Sequence, residues 1–415
     1  MFQSELPERV RALVLGGGIH GVGVLHDLSS RGWKDIHLIE KATLASGTSS
    51  KSTKLIHGGL RYLKRISQFG MVAESLHERK LLLDLAPDLV KPIEILIPIL
   101  DGKGSSSLMV NTGLLLYDLL ARKNKIHSYK KLKIKHLKEK FELLDYENVS
   151  AAYSFWDAQT DDLALVNRVA ESAVRKCEAK ISEHCEVQSI EANEDGWTVK
   201  VLDHHGRLKE ISALYVINCL GPWANDLLKK SSIIPTHHAF NDKGIHLIFE
   251  DIGLEKGLLL ESPADHRIFF VLPWKGYTLV GTTEELYEGD PSAVSPSEEE
   301  VNYLLDRCNV YLRKKFNKSD IIKAFAGLRW LAIEDQKTIS SVSRESILGE
   351  RYSKRGLLMT IYGGKLTSYR HLCEKIGDRV TKHFGEFRLT RTKEKEMWVS
   401  PEEAEFQAPT VLQRF

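Results

Sequence analysis

Apolar residues run almost unbroken through 11–15, give way to glycines, and resume through 21–30 and again at 36–39. Short unbroken apolar runs mark strands buried on both faces, and the longer stretch between them has helical length. The reading is strand, glycine turn, helix, strand. A helix is predicted over 69–85, stopped by Ala86-Pro87. Apolar segments at 93–100 and 108–120 precede a lysine-rich stretch, and 160–180 reads as helix. Alternation at 186–190 and 197–202, around the turn Asn193-Glu194-Asp195-Gly196, predicts paired strands. A further buried strand at 213–219 ends in Leu220-Gly221-Pro222-Trp223. Residues 244–283 are strand-rich, notably 268–273 and 277–281. A helix over 296–315 starts on Ser297 and three glutamates, which suits the helix dipole. The strand 357–361 leads into Gly363-Gly364-Lys365 and a helix to about 384. Residues 386–415 are polar and expected to form a peripheral, loosely ordered tail.

The first glycine turn carries the first chemistry. Gly16, Gly18 and Gly21 occupy the three positions of G-x-G-x-x-G. The first permits the tight turn, the second lets a pyrophosphate approach the backbone, and the third lets helix and strand pack closely. The helix start offers unpaired N–H groups and a positive dipole end to the phosphates. Glu40, closing the next strand, stands where a carboxylate accepts hydrogen bonds from ribose hydroxyls. A dinucleotide site is therefore expected. The later strand, Gly-Gly turn and helix at 357–384 repeat this opening pattern. That points to an α/β protein whose Rossmann-like domain is assembled from separated segments, with a mixed-sheet domain inserted.

Composition narrows the class. The chain has 415 residues, enough for two or three domains, and its net charge of +2 argues against a dedicated nucleic-acid binder. Five scattered cysteines never spaced C-x-x-C fit a reducing compartment without disulfides or zinc. Sixteen histidines include no H-E-x-x-H or comparable spacing, so no metal is expected. The polar N-terminus does not read as a signal peptide, and the apolar runs are too short to span a bilayer.

Several blocks resemble the FAD-dependent glycerol-3-phosphate dehydrogenase family, within the amino-acid-oxidase-like flavoproteins. They are SGTSSKSTKLIHGGLRYL (46–63), NCLGPW (218–223), KGIHLIF (243–249), RIFFVLPW (267–274), GTTEELYEGDP (281–291), GLRWL (327–331) and GGKLTSYR (363–370). The resemblance implies noncovalent FAD and oxidation of sn-glycerol 3-phosphate to dihydroxyacetone phosphate, with electrons passed to a quinone or, in the oxidases, to oxygen. It places the FAD domain at 8–87, 151–235 and 321–385, and the substrate domain at 88–150 and 236–320. The cofactor set it implies is Gly16, Gly18, Gly21, Glu40, Thr48, Ser49, Ser52, Lys54, His57, Gly58, Gly221, Trp223, Gly364, Lys365, Leu366 and Thr367. For the phosphate it implies Arg329, Arg344, Lys365 and Thr367, with Arg61, Tyr62 and Arg267 nearby. Guanidinium suits that task because it binds phosphate bidentately. His246 is the candidate base, joined by Arg329 and Lys365 as catalytic groups. His57 is the rival, with flavin contact as its other role.

Residues 122–140 hold nine Lys/Arg against one Glu, directly after the apolar run. A solvated basic face and an interfacial membrane anchor both fit that composition. The family's quinone-reducing members favour the anchor, through 108–140, on the inner face of the cytoplasmic membrane. The chain departs from the family pattern at Trp330, where proline is usual, at 333–337, and in having little sequence beyond Tyr369 for the usual C-terminal helical domain. Those departures leave room for another phosphorylated polyol or an amine as substrate, or for a flavin protein without turnover.

Overall fold

The computed structural model describes residues 2–332, 346–386 and 388–415. β1 (Arg9–Leu15), α1 (Ile19–Ser30) and β2 (Ile36–Ile39) form the expected opening unit; α1 starts directly after Gly18, which is extended at the N-cap. β3 (Leu55–Ile56), α2 (Phe69–Leu85), β4 (Val90–Leu100), α3 (Ser107–Ala121), β5 (Lys130–Leu132), α4 (Ile134–Lys140) and β6 (Val149–Thr160) follow. Then come α5 (Asp162–Cys177), β7 (Lys180–Ser182), β8 (Glu186–Asn193), β9 (Gly196–Leu202), β10 (Leu208–Asn218) and α6 (Ala224–Lys230). β11 (Ala239–Glu250), β12 (Gly257–Glu261), β13 (Ile268–Trp274), β14 (Tyr277–Gly281), β15 (Glu285–Tyr287) and α7 (Glu298–Asn309) lead to β16 (Ile321–Ala332). β17 (Ile347–Tyr352), β18 (Leu357–Tyr362) and α8 (Tyr369–Phe384) complete the main body.

Two sheets result. The first runs β17-β18-β10-β1-β2-β7, with β18, β10, β1, β2 and β7 all parallel and the β8–β9 pair joined to β10. Alternation along β1 divides its core: Ala12 and Val14 pack towards α1, α5 and α8, whereas Leu13 and Leu15 pack towards β8–β10 and α6. The second sheet runs β15-β11-β14-β13-β12-β4-β6-β3, with β16 on β11 and β5 on β6. Along β4, Leu96 and Leu100 face the α7 side, while Ile93, Ile95, Ile97 and Ile99 face α2 and α3.

The structure revises several boundaries. β3, β6 and β16 belong to the second sheet, although 8–87, 151–235 and 321–385 were all expected in the FAD domain. Eleven of the twelve residues of β16 pair with β11, and that pairing outweighs chain proximity to β17 and β18. Helix α7 is shorter than 296–315: a Ser297–Glu300 capping box starts it, and the Asn309 side chain turns to bond both backbone groups of Phe316. The basic stretch is no single helix, since β5 pairs with β6 and splits it. Among the described residues no helix is long and apolar enough to cross a membrane. The expected tail is not loose over 388–415: Thr392, Trp398, Val399 and Val411 are buried against the main body.

Candidate active site

A cavity of about 810 Å³ lies between the two sheets, within the range usual for cofactor and substrate sites. At one end is the turn after β1. Gly16 has φ +101°, and a Cβ on Gly21 would stand 1.8 Å from the Gly16 carbonyl oxygen. Only glycine lets α1 approach β1 so closely. A Cβ on Gly18 would come within 3.0 Å of Ser49 Oγ. Ser49 Oγ accepts the Ile19 N–H at 2.9 Å, so the loop after β2 is tied to the helix start. Glu40 accepts the N–H groups of Gly17 (2.6 Å) and Ala42 (2.8 Å), and burial pushes its carboxyl above the usual range. It therefore sets the turn and lines the cavity together.

The loop 46–59 crosses the middle of the cavity. Thr48 Oγ1 donates to the Leu328 carbonyl at 2.9 Å, anchoring the loop to β16. Ser52 Oγ donates to Asp162 at 2.7 Å, and the Thr53 hydroxyl pairs with His246 Nε2 at 3.0 Å. The His57 N–H donates to Thr367 Oγ1 at 3.0 Å, which joins this loop to 363–367. Gly221 and Trp223 line the wall, where the Trp223 ring lies under the Lys41 ammonium at 4.6 Å. Gly364, Lys365, Leu366 and Thr367 line another wall.

The second sheet supplies the face with acid–base groups. Antiparallel pairing sets His246 opposite Phe325, Gly244 opposite Gly327, and Asp242 opposite Arg329. Paired residues share a face, so these six side-chain positions look the same way. His246 is buried and stacked on Phe325, its Nδ1 without a partner among the described residues. Burial, then the Lys54 and Arg329 charges, hold its pKa well below 6.5, so the ring is neutral at pH 7. Arg329 forks onto Asp242 at 2.7 and 3.1 Å and donates to the Thr283 carbonyl at 2.7 Å. Its guanidinium lies over Gly244, where a Cβ would be 2.8 Å from both NH1 and NH2. The glycine pair thus lets the Arg329 guanidinium and Thr282 lie over Gly244, and lets Lys51 of the loop lie over Gly327.

Other predicted residues are placed differently. Lys54 does not reach the cavity: its ammonium is fully buried on Asp162, 2.8 Å from both carboxylate oxygens. Gly58 also lies behind the wall, its N–H bonded to Tyr117 Oη at 2.9 Å, and a Cβ there would strike that hydroxyl. Gly21 packs under the turn rather than lining it. Arg267 is exposed and faces a neighbouring groove, donating to the Glu284 carbonyl. Arg61 and Tyr62 line both spaces, Arg61 pairing with Glu284 at 2.7 Å. Lys365 Nζ sits 4.3 Å over the Tyr62 ring. Arg344 lies outside the described residues.

Sequence reading passed over His20, Thr53, Asp157 and the Gly244/Gly327 pair, all of which line the cavity. His20 occupies a variable position of the glycine motif, the one signal available for it. Its Nε2 is shielded and has no partner among the described residues, and burial pushes its pKa down to about 4. A Cβ on Gly364 would fall 2.2 Å from the His20 ring. This unpartnered nitrogen, the bare glycine cradle and the helix start fit a dinucleotide. Among the described residues no three His, Cys, Asp or Glu side chains come together as a metal site.

Comparison with known proteins agrees with that fit. The model of the FAD dependent oxidoreductase family DAO matches residues 11–370. D-erythritol 1-phosphate dehydrogenase of Brucella abortus (strain 2308) is 33% identical over 372 residues, covering 89% of this chain and 73% of that protein. Aerobic glycerol-3-phosphate dehydrogenase of Escherichia coli (strain K12) is 30% identical over 387 residues, covering 92% and 75%. Among solved structures, a glycerol-3-phosphate dehydrogenase from Bacillus halodurans complexed with FAD superposes with TM-score 0.74 at 27% identity, covering 94% of this chain and 68% of that one. With a glycine cradle shaped for a dinucleotide and a family match over most of its length, the chain belongs to the DAO family of FAD-dependent oxidoreductases and takes FAD as its cofactor.

Proposed function

We propose that the protein oxidises the secondary alcohol of a small phosphorylated polyol, sn-glycerol 3-phosphate in the first instance, and passes the electrons to a quinone. The observation that carries this reading is the shared face of β11 and β16. A neutral, buried histidine and a fixed guanidinium stand there on one face and line the same cavity. Gly244 is one two-residue step from His246, about 6.6 Å along a strand. A proton acceptor and a phosphate-binding cation at that spacing suit an alcohol one carbon away from a phosphate ester.

The chemistry a bound flavin supplies is acceptance of the hydride from the carbinol carbon. His246 takes the hydroxyl proton on a ring nitrogen; because burial keeps it unprotonated, it is ready to do so at neutral pH. Thr53 fixes the ring orientation through Nε2. Arg329, held by Asp242, presents a fixed guanidinium to the phosphate, and Lys365, Thr367, Arg61 and Tyr62 add charge and hydrogen bonds around it. Gly16, Gly18, Glu40, Thr48, Ser49, Ser52, His57, Gly221, Trp223, Gly364 and Leu366 line the FAD cradle, with Gly21 beneath it. On the outer surface, α3 exposes Leu108, Met109, Leu115 and Leu119 next to the lysines of 122–140. That combination supports peripheral contact with an anionic membrane on its cytoplasmic face, where a quinone is available.

D-erythritol 1-phosphate is the second reading, because the Brucella relative is as similar as the glycerol-3-phosphate enzymes. Anaerobic bleaching of the purified yellow protein separates the two. Bleaching by sn-glycerol 3-phosphate, but not by glycerol, amino acids or D-erythritol 1-phosphate, is the expected result. Bleaching by the tetritol phosphate alone would replace the first reading with the second, and no response to either ester would remove both. Lys365→Ala, with FAD retained, should lose the response if the phosphate lies where proposed.

A further inference from the structure

We infer that residues 398–415 form a strap whose Phe415 ring backs the His246 imidazole through Phe325, making Phe415 a positioning residue for the proton acceptor; the inference rests on the His246 reading above. Phe325 stacks on His246 with centroids 5.0 Å apart and planes 15° apart. Phe415 stacks on Phe325 at 4.0 Å and 10°. Three near-parallel rings therefore run from the strap to the site, in a region where aromatic packing fixes ring orientation.

The strap is fastened along its length. Val399 N–H donates to Ser172 Oγ at 2.9 Å, and Glu171 Oε1 accepts the N–H groups of Glu405 (3.1 Å) and Phe406 (2.7 Å). Val411 is buried in the α2–α3 side of the second core. Arg414 forks onto Asp161 at 2.7 and 2.5 Å and lies over the Trp274 ring. The Phe415 backbone oxygen accepts from Lys323 Nζ at 2.7 Å.

The same helix start couples strap and active-site loop. Asp161 is the N-cap of α5 and holds Arg414; its neighbour Asp162 holds Ser52 and Lys54. Between Ser52 and Lys54 lies Thr53, the partner of His246 Nε2. Phe415 also shields charge: Lys54 Nζ is 5.3 Å from its ring, 5.3 Å from Phe325 and 5.0 Å from Trp274, and Lys51 Nζ is 4.5 Å from Phe415. The charged groups around His246 are thus Lys51 and Lys54 from the loop, Asp162 from α5, Arg329 from β16 and Asp242 from β11. Loss of the ring admits water behind Phe325, loosens the imidazole and eases its protonation.

The test compares Phe415→Leu, which keeps apolar volume without a ring, with Phe415→Tyr, which keeps the ring. In the FAD-loaded protein, F415L should lower kcat about tenfold, part of the 10²–10⁴ a general base supplies, with KM within about twofold. The acid limb of the pH–rate profile should move to higher pH, and F415Y should restore both. Arg414→Lys, which keeps the charge but not the fork on Asp161, should act in the same direction and serves if F415L does not fold. A second readout is independent of turnover: histidine ring resonances in labelled protein, with the His246 signal identified by its loss in His246→Gln. That signal should titrate at higher pH in F415L. An unchanged signal and unchanged kcat in F415L, or equal loss in F415L and F415Y, would overturn the strap. Full turnover in His246→Gln would instead overturn the base assignment, while the resonance shift would still report the strap.

Discussion

The turn after β1 and the face shared by β11 and β16 both line the cavity and both depend on glycine, yet they are specified in opposite ways. At the turn, Glu40 caps Gly17 across 23 residues, and Gly16, Gly18 and Gly21 stand together in one short stretch of chain. On the sheet face, Arg329 and Asp242 are 87 residues apart, and Gly244 and Gly327 matter only because strand pairing sets them side by side. The first surface is a local motif, and the second exists only in the fold. The cofactor end should therefore fail all at once when altered, and the substrate end by degrees.

Gly21→Ala is the sharpest way to break the first half of that contrast. Its methyl would overlap the Gly16 carbonyl oxygen, on backbone that cannot swing aside. The variant should purify without flavin absorbance or not fold; a stoichiometric yellow protein would show that the turn tolerates what its geometry forbids. His246→Gln probes the other half. FAD should stay bound while kcat falls by about 10²–10⁴, the usual worth of a general base. A loss under tenfold would move the proton elsewhere, with His57 next in line. Arg329→Lys comes third. It keeps the charge but loses the fork onto Asp242, so kcat/KM should fall by roughly thirtyfold, about 2 kcal/mol. Thermal unfolding should also come at lower temperature, because Asp242 is fully buried and loses one of the two bonds from Arg329.

What the chain reveals before folding follows the same division. Gly16, Gly18, Gly21 and Glu40 could be read because strand, turn, helix and acid follow one another in order. Lys54 and Gly58 sit in an equally well-patterned loop, but composition cannot tell which residues of a loop face inwards. Asp162 draws the Lys54 ammonium to the core, and Tyr117 claims Gly58. The β16 boundary was missed because strand membership is decided by the partner β11, far back in the chain. Residues 386–415 read as a tail because their apolar residues are scattered: Trp398 packs in the first core, whereas Val411 and Phe415 pack against the second sheet. Such contacts leave no period to detect.

Acid lability gives the smallest effect and tests the contrast across the whole molecule. His26 and His37, both buried near the first sheet, have pKa values pushed from 6.5 down to about 4, chiefly by burial. His246, on the second sheet, is also held well below 6.5. Each is neutral in the folded chain, while the unfolded chain takes up a proton below about pH 6.5. The unfolded state then binds more protons, so stability falls as pH drops from about 6.5 towards 4, by up to about 1.4 kcal/mol per pH unit per histidine. Asp27 works the other way: burial raises its carboxyl to about 6, so the folded state gains that proton first and offsets one histidine between about pH 6 and 4. His20 is likewise pushed down to about 4, so three uncompensated histidines remain, and urea midpoints should decline between pH 6.5 and 4.5. His37→Asn should flatten that decline without touching turnover, because the His37 ring bonds Ser182 at 2.7 Å and does not line the cavity. His246→Gln should flatten it too while lowering kcat by the factor given above. Equal slopes with unequal activity would show that burial costs the same in both sheets, and that only the second sheet uses its histidine for chemistry.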